Sequence, residues 1–168
     1  MNSPDVVARL LLATVEHGPA LTVPQAQGNA CIWCPTTLHT GKGISLGGDA
    51  YWCPHACPPC HAARTQVIAT YADWNDHLLT CTTCLQGAPC DSARTLREAH
   101  VQARTAVGRP SVWCMNCLTI MRPGAVWEPH LWQSRRGPEL DYRHTGSCSP
   151  RSRPSEHEAS SAEPDGIR

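Results

Sequence analysis

Residues 31–60 read CIWCPTTLHTGKGISLGGDAYWCPHACPPC, with the pairs Cys31/Cys34 and Cys57/Cys60 separated by 22 residues. A Cys-x2-Cys step brings two sulfurs to one side of a tight turn, where they suit two corners of a tetrahedral ion. Between the pairs, Gly41, Gly43, Gly47, Gly48 and Asp49 punctuate two short runs, Ile44–Leu46 and Ala50–Cys53. That pattern predicts two strands that return the chain to the first pair. Pro58 and Pro59 fit only the first turn of a helix, where a missing amide hydrogen costs nothing. Cys57 and Cys60 are therefore expected at a helix start, where free N–H groups and the helix dipole favour thiolate.

Two further constellations follow downstream. His77, Cys81, Cys84 and Cys90 have the spacing His-x3-Cys-x2-Cys-x5-Cys, and His77 and Cys81 share a helical face at i, i+4. Cys114, Cys117, His144 and Cys148 have the spacing Cys-x2-Cys-x26-His-x3-Cys. His130 competes with His144, which is favoured because His144 and Cys148 fit one local turn. The three sets use ten of the eleven Cys, and Cys53 is read as a spare thiol on a strand. His55 and His61 are read as non-ligands. Trp33, Trp52 and Trp113 adjoin cysteines and are expected to cover the ions. Ten ligating thiolates against three divalent ions would shift the formally neutral chain to about −4.

Composition points the same way. Leu, Ile and Val total 27 of 168 residues, about 16%, there is no Phe, and an ordinary core needs more. Such a chain needs metals, disulfides or association to hold it together, and a large single-core enzyme fold is excluded. The odd Cys count and the Cys-x2-Cys spacing favour metal over disulfide. No secretory signal is read. The apolar run from Val6 to Val15 contains Arg9, follows Asp5, and is too short to span a bilayer. A reducing, cytoplasmic setting is expected, with no membrane association.

Helical periodicity predicts three helices. Ser3-Pro4-Asp5 opens one over residues 4–17, with Val6, Val7, Leu10, Leu11 and Val15 on one stripe and a stop at Gly18-Pro19. Val67, Ile68, Tyr71, Trp74 and Leu78 share a face from about Cys60 to Leu79. Leu96, His100, Ala103 and Val107 share a face of a third helix, capped by Asp91 or Ser92 and ended by Gly108-Arg109-Pro110. Four regions result: an N-terminal helix and connector (1–30), a helical Cys/His-rich zinc-binding region (31–109), a zinc-ribbon-like module (110–149), and a Ser/Pro/Glu-rich tail expected to be disordered (150–168). The fold class expected is a small, metal-stabilised α+β protein. Loss of Cys84 is expected to unfold residues 74–107, since a structural zinc contributes on the order of 10 kcal/mol.

Knuckle, hairpin and helix in that order resemble a treble-clef zinc finger over residues 31–75, a likeness that implies architecture rather than activity. Over residues 31–148 the repeated half-sites resemble small multi-zinc proteins of actinobacteria, phages and plasmids. The Arg-for-Lys bias, with Lys42 the one lysine, fits a GC-rich genome. Cys81, Cys84 and Cys90 also resemble the end of the iron–sulfur motif of WhiB-like regulators. That likeness implies a [4Fe–4S] cluster completed by Cys53, Cys57 or Cys60 and a redox-sensing role. The Gly-Trp turn and the basic tail of that family have no counterpart here.

Chemistry argues against catalysis. Catalytic zinc keeps an open position, whereas each set here supplies four ligands. There is no His-Glu-x-x-His, and the deaminase pairing is half present at Cys57-Pro58-Pro59-Cys60. Asn75-Asp76-His77 only superficially suggests an HNH nuclease, and Gly41-Lys42-Gly43 is too short for a phosphate loop. No catalytic residue is assigned. Charge is unevenly spread, −3 over residues 1–91, +6 over 92–153 and −3 over 154–168. Arg94, Arg97 and Arg104 on the third helix, with Arg135 and Arg136, are the candidate contacts to DNA or RNA. The sequence reading is thus a non-catalytic, zinc-binding accessory or regulatory factor for nucleic acid. The alternatives are an adaptor that meets a protein through the N-terminal helix, and the iron–sulfur regulator.

Overall fold

The computed structural model describes residues 4–16, 21–39, 41–48, 51–121, 125–134, 137–145 and 148. Helix α1 spans Pro4–Glu16, so Ser3 and Gly18-Pro19, read as its start and stop signals, lie outside the described residues. Leu10 and Leu11 are buried with Ile32, Leu46, Ala56 and Ile68 in a first apolar cluster. Of the expected stripe, Leu10, Leu11 and Val7 face this cluster, while the side chains of Val6 and Val15 lie outside the described residues. Residues 18–30, expected to be a plain connector, contain a helical turn, α2 (Val23–Ala26). Gln25 explains it: its Oε1 accepts from the Thr22 amide at 3.0 Å, and its Nε2 donates to the Cys31 carbonyl at 3.2 Å. One side chain thus caps the turn and ties it to the first Cys-x2-Cys knuckle.

Strands β1 (Ile44–Ser45) and β2 (His55–Ala56) pair antiparallel, Ile44 opposite Ala56. The return strand lies beyond the Ala50–Cys53 run proposed from sequence. Gly47 and Gly48 adopt positive φ, and a Cβ on Gly48 would clash with the Trp52 carbonyl oxygen. Gly48 thus lies close against Trp52, and pairing runs through the residues beyond it, the Leu46 amide donating to the Pro54 carbonyl at 3.0 Å. Cys53 is correspondingly not on a strand. Its amide donates to the Ala26 carbonyl at 2.9 Å.

Helix α3 (Pro58–Thr80) is the longest element, with Cys57 as N-cap and the two prolines in its first turn. A short helix α4 (Thr82–Leu85) leads to α5 (Asp91–Ala106), which packs along α3. The N-cap of α5 is Cys90 itself, not Asp91 or Ser92: its sulfur accepts from the Ala93 amide at 3.4 Å. Strands β3 (Trp127–Ser134) and β4 (Gly137–His144) form an antiparallel hairpin, Trp127 opposite His144.

A second core joins helices to hairpin across residue 109, comprising Tyr71, Trp74, Val112, Cys114, Met121, Trp127 and Tyr142. Its rings meet edge to face: Trp74–Trp127 at 5.2 Å, Trp127–Tyr142 at 5.2 Å and Tyr71–Tyr142 at 5.5 Å. Aromatics supply the contact area that aliphatics cannot in a chain so poor in them. The tryptophans responsible are Trp74 and Trp127. Trp113, expected to cover an ion, is 56% exposed instead. Among the described residues no helix is long and apolar enough to cross a membrane.

Candidate metal centres

The ligand atoms of Cys31, Cys34, Cys57 and Cys60 lie within 4.8 Å of one another, as do those of His77, Cys81, Cys84 and Cys90, and those of Cys114, Cys117, His144 and Cys148. These three groups can each hold a metal ion. They are the three sets proposed from spacing, and His144 rather than His130 stands in the third. None of the eleven cysteines is in a disulfide.

In the first group the knuckle Cys31–Cys34 faces the N-terminal turn of α3. Cys34 and Cys57 sulfurs are 3.8 Å apart, and the Cys57 amide donates to the Cys31 sulfur at 3.3 Å. In the second, His77 projects from the last turn of α3, Cys81 joins α3 to α4, Cys84 lies on α4, and Cys90 caps α5. Cys90 sulfur is 3.9 Å from that of Cys81, 3.7 Å from that of Cys84 and 3.1 Å from His77 Nε2. In the third, Cys114 and Cys148 sulfurs are 3.4 Å apart, and Cys117 sulfur is 3.7 Å from His144 Nδ1. A tetrahedron with metal–sulfur bonds of about 2.3 Å has sulfur–sulfur edges of about 3.8 Å. The observed spacings match one ion per group and lie far from a disulfide's roughly 2.05 Å.

The first and third knuckles are the same structural unit. The amide of the first cysteine donates to the carbonyl five residues on, Cys31 to Thr36 at 2.8 Å and Cys114 to Thr119 at 3.0 Å. The threonine hydroxyl then lies beside the second cysteine's sulfur, Thr36 Oγ1 at 3.2 Å from Cys34 and Thr119 Oγ1 at 3.0 Å from Cys117. Sequence reading by ligand type missed both threonines. The signal was present as Cys-x2-Cys-x-Thr, repeated in CIWCPT and CMNCLT.

Electrostatics in the first and third clusters is compatible with a cation. The hydroxyl of Thr36 foremost holds Cys34 down to about 6. Burial pushes Cys114 up, but backbone amides led by that of Cys117 outweigh it and hold the thiol at about 6. Burial and the neighbouring thiols push Cys60 well above its ordinary value and Cys148 up to about 12. One thiolate forms readily in each of these clusters and then opposes the next, so complete ionisation requires a positive ion among them.

The arginines proposed for nucleic acid are placed less uniformly than their spacing suggested. Arg97 and Arg104 share the face of α5 that carries buried His100, and that face meets the hairpin. Arg97 lies 5.0 Å over the Trp127 ring and donates to the Ala125 carbonyl at 2.8 Å. Arg104 lies 5.0 Å over the Tyr142 ring and donates to the Tyr142 hydroxyl at 3.0 Å and the Ser111 carbonyl at 2.6 Å. Arg94 is exposed and pairs with Asp91. Arg135 and Arg136 lie outside the described residues. Around the third knuckle, by contrast, Trp113, Leu118 and Ile120 are about half exposed, and Trp113 and Ile120 face each other across an antiparallel bridge. No protein-family model, curated protein or solved structure matches the chain.

Proposed function

We propose that the chain is a non-catalytic binding module held in shape by three structural zinc ions, treble-clef-like over residues 31–75 and zinc-ribbon-like over 110–149. The observation that carries this reading is that each cluster offers four protein ligands at the spacing of a single tetrahedral ion. Thiolate and imidazole donors suit zinc, and four of them leave no position for a reacting water. An iron–sulfur cluster needs its thiolates spread around several irons, wider than one ion's shell. Cys57 and Cys60, two of the cysteines such a cluster would recruit, stand with Cys31 and Cys34.

The partner favoured by the geometry is a protein. The third knuckle presents Trp113, Leu118 and Ile120 as an apolar patch on a loop that zinc makes rigid, and Leu118 adopts φ 55°, a strained conformation for a branched side chain. Nucleic acid is the second reading, favoured by the +6 balance of residues 92–153. Native mass spectrometry is expected to find three zinc ions per chain, and a colourless protein. A brown protein or a lower count contradicts the assignment. Titration with generic DNA at increasing salt separates the partners: an affinity falling with a log–log slope of several units supports nucleic acid.

A further inference from the structure

Among the described residues the three clusters differ in cover. The first and third each contain a fully buried cysteine, Cys31 and Cys114, and each is closed by a knuckle's own backbone bond. The second has no buried cysteine, and its turn is held by helical bonds, the Leu85 amide to the Cys81 carbonyl and the Gly87 amide to the Cys84 carbonyl, both at 3.0 Å. His77, Cys81, Cys84 and Cys90 are all half-exposed, and Leu85 to Pro89, between its last two ligands, are exposed throughout. Its sulfurs converge on Cys90, which both Cys81 and Cys84 approach within 3.9 Å. The helices it joins are also fastened elsewhere: Thr70 Oγ1 lies 3.0 Å from His100 Nδ1, and Tyr71 sits in the aromatic core. The ligand set can therefore change state without dismantling the packing of α3 on α5.

We propose that this second cluster is an oxidation-labile zinc site, at which a hydroperoxide converts Cys84 and Cys90 into a reversible disulfide and releases the ion. The inference rests on the zinc reading above. Cys90 thiolate attacks the terminal oxygen of the hydroperoxide. The O–O bond breaks, the remaining oxygen departs as alkoxide and takes a proton from water, and Cys90 becomes a sulfenic acid. Cys84 thiolate, 3.7 Å away, attacks that sulfur, and the S–S bond forms as hydroxide leaves and is protonated to water. Two electrons pass from the sulfurs to the peroxide. The ion, left with His77 and Cys81, dissociates, and the amide of Ala93 loses its thiolate acceptor at the start of α5.

The test uses the full chain, first shown to carry three zinc ions, so that failure of the zinc reading is seen before peroxide is added. One equivalent of hydrogen peroxide is then supplied with a chromogenic chelator, and free thiols are mapped by alkylation and mass spectrometry. The expected result is one zinc released at least about tenfold faster than the other two, with Cys84 and Cys90 together losing reactivity to the alkylating agent. Dithiothreitol and zinc then restore both. Release from the first or third cluster at the same rate, release without protection of Cys84 and Cys90, or no release at all overturns the proposal.

Discussion

Thr36 and Thr119 stand two residues beyond the second cysteine of their knuckles, with their hydroxyls 3.2 and 3.0 Å from sulfur. A hydroxyl donating to a thiolate stabilises the charge that metal binding requires. Thr36→Val and Thr119→Val keep the branched shape and remove that donor. Each is expected to weaken zinc at its own site by about tenfold, the scale of outer-shell changes, and to leave the second cluster unaltered. Competition against a chelator of known affinity checks this, and unchanged affinity would count against the role. His100 gives a second prediction at this scale. Burial foremost, then the nearby Arg104 charge, lowers its pKa to about 4. An unfolded chain, near 6.5, accepts the proton first as pH falls. The native state therefore loses stability from about pH 6.5 downward, and the loss is complete below about pH 4, at roughly 3 kcal/mol. Imidazole nitrogen shifts at pH 5.5, recorded with zinc still bound, should show a neutral ring donating or accepting between Thr70 and Tyr142. A protonated ring at that pH would contradict the burial argument.

The three long helices were legible in sequence because their apolar residues recur at helical spacing and prolines mark the starts of α1 and α3, whereas the cap of α5 is Cys90 in place of the expected Asp91 or Ser92. What was not legible depended on approach between distant segments. The return strand moved to His55–Ala56 because Gly48 runs against the Trp52 carbonyl, a contact no local pattern announces. Arg97 and Arg104 looked like a basic surface because spacing identifies a face but not what covers it. Here the face packs on the hairpin, with Trp127 and Tyr142 under guanidinium groups that stay half-exposed. The same tertiary contacts revise the expected consequence of losing Cys84. Because Tyr71, Trp74 and His100 are anchored in the core, Cys84→Ser should release the loop and helix start around 81–92 rather than the whole of 74–107. Hydrogen exchange would show lost protection there and retained protection at Tyr71 and His100. The third knuckle allows a complementary test. Leu118→Gly relieves a left-handed strain of about 1–2 kcal/mol while adding about 0.5–1 kcal/mol of backbone entropy, so stability should be kept or rise by about 0.5–1 kcal/mol. Binding to a protein partner should fall if the apolar knuckle is the contact surface, and a variant that binds unchanged would remove Leu118 from that surface.

Two small cores lie along one helix. Ile68 of α3 belongs to the cluster with Leu10, Leu11, Ile32 and Ala56, and Tyr71 and Trp74, one turn later, belong to the aromatic cluster with Cys114. The first zinc ion would tie the knuckle of residues 31–34 to the start of α3 beside one core. The third would close the other, through Cys114 within it and Cys117 and Cys148 against it. The second sits at the far end of α3, and none of its ligands belongs to either core, although Trp74 lies one turn before His77. Metal removal should therefore be graded. Loss of the second ion should leave the near-ultraviolet signal of Trp74 and Trp127 intact, since their packing does not depend on it. Loss of the first and third should abolish that signal and expand the chain, because each structural zinc stands for on the order of 10 kcal/mol against a domain stability of about 5–15 kcal/mol. Stepwise chelation under reducing conditions, followed by circular dichroism and hydrodynamic radius, reads both stages. A chain that kept its compact radius and tryptophan signal with all three ions gone would mean that the aromatic core alone holds α3, α5 and the hairpin together, and that the thiolates serve something other than the fold.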